Sequence, residues 1–152
     1  MTRNALLIAF LALSAAPRTA SAISVSFDPA AASRSKALSA YEAYVSSFNP
    51  LHDKAAIICG TLGPVTLYVA CNGLRQVNDA IRLAATRRSV IQAYVAGTTD
   101  CTTATFTLQD VAEAGPTTDS FMWLYADNEV IANNLAYNTT WAALQDGCPS
   151  DG

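Results

Sequence analysis

Four cysteines, Cys59, Cys71, Cys101 and Cys148, constrain this chain more than any other feature, because an even set of thiols in an oxidising compartment closes into cross-links. The N-terminus says which compartment to expect. Arg3 precedes an apolar run from Ala5 to Leu13, Pro17 and Arg18 break that run, and Ala20-Ser21-Ala22 presents a small-x-small cleavage pattern before Ile23. The run falls short of the roughly 20 apolar residues that span a bilayer. Residues 1–22 therefore read as a secretory signal peptide, and 23–152 as a single secreted, extracellular domain. A domain of that size buries roughly two thirds of the surface its unfolded chain exposes. Two disulfides are expected. Four cysteines allow three pairings and the sequence does not choose among them, although nearest neighbours, Cys59 with Cys71 and Cys101 with Cys148, are preferred.

Zinc is a poor alternative use of these thiols, since no C-x-x-C spacing occurs and His52 is the single histidine. No metal site and no cofactor are implied. Beyond the leader, the most apolar stretch, Ala55 to Ala70, is interrupted by Gly60, Gly63 and Pro64, so no membrane span is expected. Loss of the leader removes Arg3 and Arg18, and every remaining base lies at or before Arg88. The acidic residues from Asp100 onward then have no basic neighbour in sequence, which excludes a nucleic-acid partner, because phosphate binding needs clustered Lys and Arg. An acidic patch for a basic partner is the sharper reading of this asymmetry and solubility the plainer one. Asn138-Thr139-Thr140 is an N-glycosylation acceptor, usable where the host glycosylates and the segment is exposed.

Periodicity gives a mixed set of elements. Asp28-Pro29 reads as a helix start, Leu38, Tyr41, Tyr44, Val45 and Phe48 recur at helical spacing, and Asn49-Pro50 reads as the stop. Leu51 to Cys59 reads as a short second helix, Val65 to Cys71 as a strand, and a third helix is expected from Gly73 to about Thr86-Arg87-Arg88. From Ser89 the period changes to two, so VIQAYVA and CTTATFTLQDV around Gly97-Thr98-Thr99-Asp100 read as a β-hairpin. A second hairpin is expected from Phe121 to Tyr137 around Asp127-Asn128, followed by a short helix over Thr139 to Gln145. A rival reading runs one helix from Asp127 to Asp146 on Val130, Tyr137, Trp141 and Leu144.

The segments AYEAYVSSFNPLHD at 40–53, GLRQVNDAIR at 73–82 and FMWLYADNEVIANNLAYNT at 121–139 resemble the opening helix, middle helix and closing hairpin of the NTF2-like superfamily, including its SnoaL-like members. The resemblance implies an α+β fold with helices packed on a curved, mostly antiparallel sheet shaped like a cone. It also implies a homodimer, and a pocket that holds small apolar molecules or serves isomerases and dehydratases. The departures from the family pattern are the Asp127-Asn128 turn in place of Asp-Gly and the apolar strand positions.

Chemistry-bearing patterns are few. No G-x-S-x-G occurs, and adjacent His52 and Asp53 do not face each other on a helix, so they form no dyad. His52 as a proton-abstracting base, or a buried carboxylate such as Asp110, are the catalytic candidates. Tyr41, Tyr44, Phe48, Trp123 and Tyr125 are the candidate ligand-binding residues, on an aromatic first helix and a two-faced apolar hairpin. The leading expectation is a secreted, non-enzymatic protein that binds a small apolar ligand or an extracellular partner protein. The alternative is a secreted isomerase, dehydratase or hydrolase.

Overall fold

The computed structural model describes residues 29–148 apart from 118, 119 and 121, with the side chains of 29 and 30 excluded. The expected signal peptide, the Asp28 cap and the start of the second hairpin at Phe121 lie outside the described residues. Helix α1 spans Pro29–Ser46, α2 Phe48–Leu62, α3 Asn72–Ala96, α4 Cys101–Ala114, α5 Met122–Tyr125 and α6 Asp127–Asp146, with a 3-10 turn at Val69–Cys71 before α3. No strand occurs among the described residues.

The α+β expectation and the NTF2-like resemblance are therefore overturned, since that fold requires a sheet. Both expected hairpins are helices: CTTATFTLQDV forms α4, and the rival helix from Asp127 to Asp146 is α6. The expected strand at Val65 to Cys71 is a turn and a 3-10 segment. The argument for a homodimer through an uncovered sheet face falls with the sheet.

Helices form here because the buried positions repeat every three or four residues, with small and polar side chains interspersed among the large apolar ones. Along α1 and α2 the buried set is Ala37, Tyr41, Tyr44, Phe48, Leu51, Ala55 and Ile58. These positions alternate steps of four and three, the spacing of knobs-into-holes bundles. On α3 the same alternation runs through Gly73, Val77, Ala80, Ala84, Ile91 and Tyr94, with Arg87 in the intervening position. On α6 it runs through Val130, Asn133, Thr140 and Leu144, and on α4 through Ala104, Leu108 and Val111.

Helix directions follow from the pairs that touch. Thr140 Oγ1 donates to the Ala40 carbonyl at 3.0 Å, and Lys54 Nζ lies 3.9 Å from Glu129 Oε2, so α6 runs antiparallel to the α1–α2 arm. Arg87 pairs with Asp110 at 3.0 Å, while a Cβ on Gly115 would lie 3.6 Å from the Ala80 Cβ, so α4 runs antiparallel to α3. The most extensive packing is between α1 and α6, then between α3 and α4. The result is an up-down-up-down bundle whose first member is the α1–α2 arm, with α5 linking α4 to α6.

Asn49-Pro50, the expected helix stop, lies in the first turn of α2, where the missing proline N–H costs nothing. The chain breaks only at Ser47, whose backbone stays in the right-handed region and whose N–H still donates to Ala43 and Tyr44 carbonyls. The expected end of the third helix at Arg87-Arg88 is also corrected. Arg88 leaves the core and pairs with Glu42, and α3 continues to Gly97, whose φ of 84° forms a left-handed cap.

Candidate functional site

The bundle has two dissimilar ends. At one, the α3 C-terminus, the α4 N-terminus and the α6 C-terminus meet the start of α1. Tyr94 Oη donates to the Leu144 carbonyl at 3.1 Å, and Cys101 is bonded to Cys148 with the Cα atoms 5.5 Å apart. Asp100 caps α4: its Oδ1 accepts the Thr103 N–H at 2.7 Å, which holds its carboxyl below the usual carboxylate range. Within the same Thr-rich segment Thr107 Oγ1 donates back to the Thr103 carbonyl at 2.8 Å, so its hydroxyl is satisfied inside the helix.

An open groove of about 630 Å³ lies over the Cys101–Cys148 disulfide. It is lined by Phe106, Thr102 and Thr105 of α4, Trp141 of α6, and Arg34 and Tyr94. Phe106 is 59% exposed, an aromatic ring left standing in water beside a concavity. The Arg34 Nε is buried with no hydrogen-bond partner, and Arg34 is in no ion pair among the described residues. Burial pushes the Tyr94 hydroxyl up, with the Arg34 charge acting against the rise. Arg34 is thus a cation at the groove with an unspent donor, while one oxygen of the groove's carboxylate, Asp100, is committed to the cap.

The residues picked out by sequence are scattered. Tyr41, Tyr44 and Phe48 lie in the closed core, with Tyr44 and Phe48 ring centroids 5.0 Å apart and the Tyr41 hydroxyl donating to the Ala84 carbonyl at 2.7 Å. Trp123 is half-buried on α5 with its Nε1 unpartnered, and Tyr125 is 47% exposed. None of these aromatics lines the groove at the Cys101–Cys148 disulfide. His52 stands at the surface of α2, 3.5 Å from Asp53, and Asp110 is half-exposed and paired with Arg87. Two acids of the segment from Asp100 onward pair with earlier bases, Glu129 with Lys54 and Asp110 with Arg87. Asn138 is exposed on α6, whereas the hydroxyl of Thr140 in the same tripeptide is buried on the Ala40 and Ala136 carbonyls.

Sequence reasoning missed Arg34, Phe106 and Trp141 as one site. They are drawn together by the second disulfide and the bundle's antiparallel return, and of these only the cysteine pairing left a mark in the sequence. No helix among the described residues is long and apolar enough to cross a membrane. Comparison with protein-family models, curated proteins and solved structures finds no match to the chain.

Proposed function

We propose that the chain is an exported binding protein whose disulfide-floored groove takes a small amphipathic molecule, with an apolar body between Phe106 and Trp141 and an anionic end at Arg34. Export is supported by the leader-like residues 1–22 together with the disulfides. The single observation that carries the ligand reading is Arg34, in no ion pair among the described residues, lining a groove of about 630 Å³ together with the exposed Phe106. Small-molecule sites run from about 300 to 1,000 Å³, with apolar walls and a few placed polar groups. A guanidinium donates to carboxylate or phosphate oxygens in a planar fork, so an anionic head group in the groove suits Arg34. The proton-transfer alternative draws no support from geometry, because His52 and Asp110 stand outside the groove beside charged neighbours.

Titration of the full oxidised protein with dodecanoate tests this reading, followed by tryptophan fluorescence and by the unfolding temperature. Saturable binding is expected, weakened about tenfold by Arg34→Gln, the scale of one charge-assisted hydrogen bond. Phe106→Ser should weaken it by a similar factor through lost apolar area. Binding unchanged by both substitutions would move the ligand elsewhere, and no binding would remove the proposal.

A further inference from the structure

Among the residues that line the groove, the charged ones are Arg34 and Asp100, and they are of opposite sign. Neither is in an ion pair among the described residues. The Arg34 guanidinium sits by the turn between α3 and α4, since a Cβ on Gly97 would lie 3.9 Å from its Nη2, and Asp100 ends that turn. Three residues span at most roughly 10 Å, so both charges belong to the same end of the groove. The hydrogen bond that Asp100 accepts from the Thr103 N–H favours the ionised carboxyl, so this residue keeps its negative charge while it caps α4.

The aromatic rings stand further along. Phe106 is six residues beyond Asp100 on α4. Trp141 is six residues before Gly147 on α6, and a Cβ on Gly147 would lie 3.1 Å from Arg34 Cγ. At the helical rise, six residues carry each ring about 9 Å from the charged end. The groove therefore presents a cation and an anion together, then two aromatic side chains. A ligand whose head is only anionic satisfies Arg34 but brings a second negative charge to Asp100, and no other base lines the groove to offset it.

Resting on the binding reading above, we infer that the groove selects a zwitterionic amphiphile, with an acid group at Arg34, an ammonium centre at Asp100 and an apolar tail along Phe106 and Trp141. Alkyl betaines and N-alkylated amino acids have this build, because the tail leaves from the nitrogen and the acid lies a short carbon link away on its other side. The order of groups in such a ligand is the order of groups in the groove. An ammonium held between Asp100 and the two rings is attracted from both directions, by the carboxylate and by the negative face of an aromatic ring.

Titration of the full oxidised protein with N-dodecyl-N,N-dimethylglycine and with dodecanoate, each below its micelle concentration and at low salt, tests the inference. The betaine is expected to bind about threefold to fivefold more tightly, the scale of one exposed charge pair, and added sodium chloride should shrink the difference. Asp100→Asn should act with opposite sign on the two ligands, weakening the betaine and tightening dodecanoate. Asparagine caps a helix about as well as aspartate does, so this variant should keep the parental circular dichroism and unfolding temperature. Arg34→Gln should weaken both ligands. Dodecanoate binding as tightly as the betaine, or Asp100→Asn moving both affinities in one direction, would overturn the inference and leave the anionic-ligand reading standing. If neither ligand binds, the groove reading itself falls and takes the inference with it.

Discussion

Asn133 Nδ2 donates to Ser47 Oγ across 2.8 Å, joining the middle of α6 to the one break in the α1–α2 arm. Ser47 Oγ in turn donates to the Tyr44 carbonyl at 2.6 Å, so a buried amide closes the hydrogen bonding where the proline interrupts the arm. Asn133 occupies a position that an apolar residue fills in most of the seam. It fixes which turn of α6 lies against the break, as a buried polar residue fixes register in a coiled coil.

Asn133→Ala is expected to lower stability by about 1–2 kcal/mol, the range for a lost buried hydrogen bond and the volume around it. The measurement is urea unfolding with a double-mutant cycle against Ser47→Ala. A coupling energy near zero would show that the two side chains do not depend on each other.

Tyrosine ionisation should set the alkaline limit. Burial raises the Tyr41 hydroxyl from 10.0 to about 12, opposed by Arg87 and Arg88, and raises Tyr44 further with help from Tyr137 and Tyr41. Tyr94 and Tyr137 are raised as well, burial again being the larger cause. The folded state therefore holds these protons more tightly than the unfolded state. Their contribution is complete below pH 10 and is lost as pH rises through the folded values toward about 12. Urea midpoints measured from pH 8 to pH 11 should stay level and then fall above pH 10. Midpoints that rise over that interval would contradict the burial of these hydroxyls.

Gly147 admits no side chain, because a Cβ there would collide with Tyr94 Oη and lie 3.1 Å from Arg34 Cγ. Gly147→Ala should cost about 1–3 kcal/mol, the usual penalty for overpacking. The penalty should shrink in a Tyr94→Phe background, where the colliding oxygen is gone. Equal penalties in both backgrounds would place the constraint in the backbone instead.

The two disulfides should differ in worth. The Cys101–Cys148 bridge closes a separation of 47 residues and the Cys59–Cys71 bridge one of 12, so loop-closure entropy assigns them about 4 and about 3 kcal/mol respectively. Paired Cys→Ser substitutions followed by thermal unfolding check the order. Only loss of Cys101–Cys148 should also weaken dodecanoate binding, since that bridge floors the groove.

The helical part of the chain up to Ala84 was legible because Tyr41, Tyr44 and Phe48 mark a stripe strong enough to read. The rest was not, for reasons visible in particular side chains. The α3 helix was missed only beyond Arg88, where VIQAYVA reads with a period of two, and the α6 seam includes Asn133 and Thr140, so no run of large apolar residues announces that helix. Meanwhile Phe106, Ile131 and Leu135 are apolar but exposed, which added false alternation to the pattern. Thr-rich and Asn-rich stretches then tipped both segments toward strand on composition. The favoured cysteine pairing agrees with the disulfides formed, while Arg34 offered no local signal because its role depends on residues more than 60 positions away.

Because α1 packs most extensively on α6, and Cys148 follows every helix, the order in which a ribosome delivers the chain matters. A chain made from its N-terminus can form the Cys59–Cys71 bridge as soon as α2 and the following turn emerge. α3 can cover part of the tyrosine seam, through the Tyr41 hydroxyl on the Ala84 carbonyl, but the side of the first arm that α6 covers stays open until the last helix has been delivered and Cys148 can find Cys101. Through that interval the uncovered side of the arm is apolar surface open to aggregation, and the late bridge ties down the helix that closes it.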